Sequence, residues 1–373
     1  MGSAWVLALL GWGAWGALRW RRPTLARSNR GLFVPAAVYG AVAAVGLALR
    51  VAGVRTPLYF HHNDDRGFFT FIALVVHGAV ALPLGYLAAS VDLAGARRAV
   101  ALALAAVSAL ALLPTAWSLY VEPQTLVERA YHLRSPRAPP GGLTILHVSD
   151  LQTDGDCRRE RLVREATRRR TADLVVFSGD LTNGIDVPSE PVAARMASAH
   201  AFLAALRGTH GVFAVMGDWD GWGDDWPRQE REIFTGTGAR MLRDETVRFT
   251  AGGGPVTLFG SLGEGPTRER LWPDLRGEEG FRIVAVHHPD RVVEQAVEGS
   301  WDLVLAGHTH GGQVVLPLLG ARVTHNAHGF VGGRYTVNGT PLLVSRGIGM
   351  RGGMAPRVRF RCPPELTWIT VTR

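Results

Sequence analysis

The chain has 373 residues, room for two domains, with 47% hydrophobic and 19% charged residues and a formal net charge of +8 carried almost wholly by arginine. Its only two cysteines, Cys157 and Cys362, form no metal-type spacing; one disulfide and a buried free thiol at Cys362 both stay open. A basic chain with a strongly apolar front points to anionic membrane lipid, and nucleic acid is not expected as a partner.

Residues 1–120 form the apolar front, a membrane region of three to four helices. Apolar segments run over 4–18, 32–52, 68–90 and 99–119. A bilayer crossing takes about 20 residues, so the last three are long enough to span. The first is short, lacks a basic leader and carries Trp5, Trp12 and Trp15, with Trp20 just behind. It reads as a short span or an interfacial helix rather than a cleaved signal. Arg19, Arg21, Arg22, Arg27 and Arg30 stay cytoplasmic, as do Arg97 and Arg98, whereas the loop with His61, His62, Asp64 and Asp65 faces outward. A solvated loop and a metal site are both open there. The expectation is a multi-pass protein of the cell membrane whose part after Tyr120 is extracytoplasmic. Ionisable groups within the spans are few, Arg50 and His77, which argues against a transporter. Residues 121–141, with Pro123, Pro136, Pro139 and Pro140, read as a linker.

From residue 142 the pattern is that of an α/β domain. A strand over 143–149 ends at Asp150, with Gln152 two residues on. A helix from Arg158 to Arg170 carries seven arginines, either a solvated face or a guide for anionic headgroups. A strand over 174–178 ends in Gly179-Asp180. Asn183, just past that turn, either contacts substrate or stabilises the turn. After a helix near 190–207, a strand over 212–216 ends in Gly217-Asp218, with Trp219 and Asp220 behind it. Trp222 and Trp226 follow, lining a pocket or packing on a helix. Strands near 246–250 and 256–261 and a helix near 267–275 precede a strand over 283–286 that ends in His287-His288-Pro289. The strand 303–306 ends in Gly307-His308-Thr309-His310. Val337-Asn338-Gly339 signals a hairpin, and 366–371 alternates like an edge or core strand.

Five strands thus deliver carboxylates or imidazoles at their C-terminal ends, where open α/β sheets place their sites. Carboxylate oxygens mixed with imidazole nitrogens suit Mn, Fe, Zn or Mg. One carboxylate shared between two divalent ions makes a two-metal centre, which activates water and clamps a phosphoryl group.

The motifs HVSDLQ, VVFSGDLTNG, GVFAVMGDWD, AVHHPD and AGHTHGGQVVLP, with the tail VSRGIGMRGGMAPRVRFRCPPEL, resemble the calcineurin-like metallophosphoesterases over residues 142–373. The closest likeness is to the bacterial membrane-anchored, phosphodiesterase-type branch. The resemblance implies a two-sheet α/β sandwich with helices outside. It implies that Asp150, Asp180 and His310 hold one metal and that Asp180, His287 and His308 hold the other, with Asp180 bridging. The family has histidine where this chain has Gln152, and asparagine-histidine where it has Asp218-Trp219. The Gln152 and Asp218 oxygens still suit a hard cation, whereas an indole cannot protonate a leaving group. Asp150, Asp180 and Asp218 are therefore the expected catalytic residues, with Trp219 and Asn183 on the substrate side. The function expected is that of a membrane-anchored phosphoesterase acting on a phosphodiester or pyrophosphate linkage, for which an anionic or lipid-linked substrate fits the anchor. The alternative is a membrane-tethered binding or sensor module on a catalytically weakened scaffold.

Overall fold

The computed structural model describes residues 95–373, apart from 154, 156, 184–191, 221–225, 263–271, 296, 322–323, 325 and 352–356. The apolar segments 4–18, 32–52 and 68–90, the loop at 61–65 and Trp222 lie outside the described residues. The chain divides into two units, one of residues 1–60 and 67–116, the other of 61–66 and 117–373.

In the first unit, helix α1 (Gly95–Leu110) is followed by the short α2 (Leu112–Ala116). The single span expected over 99–119 is therefore interrupted. Pro114 explains the break: it has no N–H to donate to the carbonyl of residue 110, where α1 ends. Among the described residues no helix is long and apolar enough to cross a membrane.

The second unit is built on two six-stranded sheets. In the first, the order is β1 (Val127–Arg134), β14 (Glu365–Thr372), β2 (Leu143–Val148), β3 (Leu174–Phe177), β4 (Val212–Ala214) and β5 (Ala239–Met241). In the second it is β12 (Gly333–Val337), β13 (Thr340–Val344), β9 (Leu303–Ala306), β8 (Phe281–Ala285), β7 (Gly254–Gly260) and β6 (Glu245–Ala251). Strands β2 to β5 run parallel, as do β7, β8, β9 and β13. The short β10 (Val315–Leu316) and β11 (Gly320–Ala321) form a separate antiparallel pair.

Strand alternation sorts the side chains into three layers. Leu143, Ile145, Leu174 and Val176 meet Val256, Leu258, Ile283 and Leu305 between the sheets. Leu146, Val148, Val175 and Phe177 face the other way, under α3 (Arg158–Arg169), α4 (Val192–Leu203) and α5 (Trp226–Phe234). Val284, Val286, Val304 and Val344 face outward from the second sheet, where Val292 of α6 (Asp290–Gln295), Trp272 and Trp301 cover them. The unit is an α/β sandwich with its parallel strand ends gathered on one side.

Several expectations change. The linker at 121–141 contains β1, which pairs in parallel with β14 from Val127↔Glu365 to Arg134↔Thr372. Prolines on both sides mask its alternation in the sequence. Residues 272–275 of the helix expected at 267–275 are not helical: Trp272 packs instead on Trp301, with ring centroids 4.9 Å apart. The terminal strand lies inside the first sheet, between β1 and β2. Asn338 and Gly339 both take positive φ, 47° and 76°, as the tight β12–β13 hairpin requires. Cys157 and Cys362 are both free. The arginine helix α3 packs Val163 and Ala166 inward; just past its end Arg170 stacks on Trp368 at 4.4 Å.

Candidate metal centre

The ends of β2, β3 and β4 in one sheet and of β8 and β9 in the other bring the sequence-selected residues to one place. Asp150, Gln152, Asp180, His287, His308 and His310 are all buried, and Asp218 sits 25% exposed at the rim. Asp150, Gln152, Asp180, His308 and His310 have positive φ, at 51°, 41°, 60°, 71° and 48°. A non-glycine residue in that region is strained, and such strain gathers where function over-determines the backbone. Close backbone approach completes the turns. A Cβ on Gly217 would lie 2.2 Å from Asp180 Oδ1, and one on Gly307 would lie 2.7 Å from Asp150 Oδ2.

Asp180 is held from several sides. Trp219 donates its backbone N–H to Oδ1 (2.9 Å) and Gln152 donates Nε2–H to Oδ2 (2.9 Å). His287 Nε2 stands 3.5 Å from the same Oδ2. Asp150 accepts from Ser149 Oγ (2.6 Å) and from the His308 N–H (3.1 Å). His310 Nε2 stands 3.5 Å from Asp150 Oδ1. At the rim, Asp218 joins His288 Nε2 (2.5 Å) and His308 Nδ1 (3.1 Å).

The site's fit to cations rests on its orphaned buried atoms. His287 Nδ1 donates to the Ser178 carbonyl (2.7 Å), which leaves Nε2 as the lone-pair nitrogen, and Nε2 has no hydrogen bond. That arrangement, one ring nitrogen tied to backbone and the other presented inward, is how metal-bound histidines are oriented. Both ring nitrogens of His310 and the Oε1 of Gln152 are likewise buried without a partner. Unsatisfied buried acceptors beside carboxylates are costly unless a cation meets them. Among the described residues, two groups have ligand atoms within 4.8 Å of one another: Asp150, Asp180 and His287, and Asp218, His287, His288 and His308.

The electrostatics agree. Burial pushes the Asp150 carboxyl up to about 7, against the pull of His287. Burial also opposes charge on Asp180 and Asp218. For Asp180 the His287 ring outweighs it, and for Asp218 the hydrogen bonds of His288 and His308 do, so both are held low. Burial works against a charged His287 as well, but Asp180, Asp150 and Asp218 overcome it. A field that would force a proton onto a buried imidazole is one that favours a divalent cation. Burial and the Arg359 guanidinium hold His310 in its neutral, ligating form.

Three residues escaped the sequence reading. His288 joins the rim group; its signal was the His-His doublet itself. Asp220 accepts the backbone N–H groups of Asp180 (2.8 Å), Leu181 (3.0 Å) and Gly217 (3.0 Å), and so shapes two ligand turns at once. Arg359, fully buried, donates to the carbonyls of Gly349 (3.0 Å) and Cys362 (2.9 Å) behind His310. Nothing local in the sequence marks either role. Asn183 donates its amide to the Gln152 carbonyl (2.9 Å), so the structure ties it to the first ligand turn. Trp226 begins α5, and Trp219 lies under the Arg351 guanidinium.

Residues 143–312 match the model of the calcineurin-like phosphoesterase family. Over this region the chain is similar to calcineurin-like phosphoesterases. The chain is 26% identical over 236 residues to the uncharacterized metallophosphoesterase YkoQ of Bacillus subtilis (strain 168), covering 61% of this chain and 82% of that protein. It is 27% identical over 270 residues to the uncharacterized metallophosphoesterase YkuE of the same organism, covering 68% and 88%. Over a shorter stretch of 91 residues it is 36% identical to the phosphodiesterase YaeI of Escherichia coli (strain K12), covering 24% and 31%. The matched residues 143–312 include the strand ends that bear the clustered Asp and His side chains.

Proposed function

We propose that this protein is a membrane-anchored, metal-dependent phosphodiesterase that cleaves a phosphodiester or pyrophosphate linkage of an anionic or lipid-linked substrate. The observation that carries the hydrolase reading is the set of orphaned buried atoms, His287 Nε2, both His310 nitrogens and Gln152 Oε1, beside the Asp150 and Asp180 carboxylates. The phosphodiesterase name of the relative YaeI, and the metallophosphoesterase names of the other two, support it at family level.

Asp150, Gln152, Asp180, His287 and His310 would hold one divalent ion, and Asp218, His287 or His288, and His308 the other, with Asp180 between them. Such ions supply Lewis acidity toward phosphoryl oxygens and an activated water. The chain's own residues set the geometry. Gln152 and the Trp219 N–H fix both oxygens of Asp180, and Asp220 fixes the turn that bears it. The Trp219 indole offers no acidic proton to a departing oxygen, so linkages with good leaving groups are favoured.

Membrane attachment rests on the apolar segments of the front and on the arginine cluster at 19–30, and a tethered enzyme meets lipid-linked substrate at raised effective concentration. Elemental analysis of the purified full chain, paired with hydrolysis of bis(p-nitrophenyl) phosphate before and after chelation, tests the reading. Bound divalent metal and chelator-sensitive turnover are expected. Protein that holds no metal and cleaves no ester would favour the tethered binding module instead.

A further inference from the structure

We propose that Arg351 forms an anion subsite beside the metal centre that takes the second phosphoryl group of a pyrophosphate-linked substrate, an assignment that rests on the hydrolase reading above. The Arg351 guanidinium lies over the Trp219 ring, 5.5 Å from its centroid, and the residue is half-buried. Among the described residues no carboxylate pairs with it. By contrast, Arg282 is engaged with Asp302, Arg346 with Glu365 and Arg359 with backbone carbonyls. An arginine held on an aromatic face keeps its fork of donors pre-organised and weakly hydrated, the state suited to phosphate.

Its placement is tied to the metal centre at three points. Arg351 donates its backbone N–H to Gln313 Oε1 (2.7 Å), and the Gln313 N–H returns to the His310 carbonyl (3.1 Å). Two residues earlier, the Gly349 N–H donates to the Asp150 carbonyl (2.6 Å). On the far side, the N–H of Trp219, which carries the guanidinium on its ring, donates to Asp180 Oδ1. Arg351 is therefore braced by the loops that bear Asp150, Asp180 and His310.

Charge argues for a second anion there. The carboxylates of Asp150, Asp180 and Asp218 offset most of the charge that two divalent ions would bring. Little cationic charge remains in the centre for an anionic group beyond the scissile phosphorus. Arg351 supplies that charge at the rim, and a simple diester has no group that needs it.

The test compares the full-length wild type with Arg351→Gln and Arg351→Lys, each checked for metal content and melting temperature. Substrates are bis(p-nitrophenyl) phosphate and a p-nitrophenyl ester of a nucleoside diphosphate. Calorimetric titration with pyrophosphate and orthophosphate, at constant free metal, gives a readout independent of turnover. The wild type should favour the diphosphate ester in kcat/KM and bind pyrophosphate more tightly than orthophosphate. Arg351→Gln should cut both preferences at least tenfold, mainly through KM, and Arg351→Lys should restore part of each. Equal losses on both substrates, or an unchanged pyrophosphate preference, would overturn the subsite. If the wild type cleaves neither ester, the hydrolase reading fails, and the calorimetric preference alone decides whether Arg351 binds the second phosphoryl group.

Discussion

Asp180 is the residue on which the two halves of the site depend. Its carboxylate meets His287 from the second sheet and is braced by Gln152 and Trp219 from the first. Asp180→Asn keeps the shape but removes the charge that both ions would share. Turnover should fall by at least about 10³-fold, with metal content dropping from two ions toward one or none; oxyanion-scale electrostatic losses are of this order. Elemental analysis beside the rate assay reads both, and a variant with two ions and normal turnover would refute the bridge.

A second residue-scale case is His147, fully buried between the sheets with Nε2 2.8 Å from Ser178 Oγ. Burial lowers its pKa to about 3 from an ordinary 6.5. Below pH 6.5 the unfolded chain takes up a proton that the folded ring refuses. Stability from this residue is therefore complete above pH 6.5 and is lost as pH falls toward 3, at up to about 1.4 kcal/mol per pH unit. His147→Gln should flatten the acid decline of unfolding free energy in urea across that window. Parallel curves for the two proteins would mean that the folded ring takes the proton.

At the scale of the element, β14 decides how the first sheet closes. It inserts between β1 and β2, parallel to one and antiparallel to the other. Its Trp368 is 1% exposed, donates to Glu128 of β1 (3.0 Å) and lies under Arg170 just after α3. Trp368→Ala removes a large buried ring and unties three elements at once. Chemical denaturation should show a loss of about 3–5 kcal/mol. A loss below about 1 kcal/mol would mean that β1 and β14 do not share a core. The arginines of α3 read as a charged face, yet Arg159 is buried and Arg169 reaches Glu128. Helix periodicity shows which residues share a face but not what lies opposite it.

For the whole molecule, the proposed membrane attachment implies an orientation for the region after residue 120. The arginine cluster at 19–30 precedes the apolar segments proposed to attach the chain, so an odd number of crossings after it would put residue 373 outside the cytoplasm. A periplasm-active reporter fused after Arg373 should be active and a cytoplasm-only reporter silent; the reverse pattern would refute the orientation. By itself the sequence determined the strand-to-ligand grammar: apolar runs that end in Asp150, Asp180, Asp218, His287, His308 and His310. Buried parallel strands must be continuously apolar, and a ligand must sit just beyond them. Gly217 and Gly307 stand at those strand ends in the sequence, but nothing there marks them as the points where backbone approaches carboxylate. Only the tertiary structure decided the rest. His288, Asp220, Arg351 and Arg359 act across 10 to 132 residues of chain, and no local spacing encodes which element faces them. Strand β1 was hidden for the same reason, in addition to the prolines that flank it: its partner β14 lies at the other end of the chain, so its pairing is a property of the closed sheet.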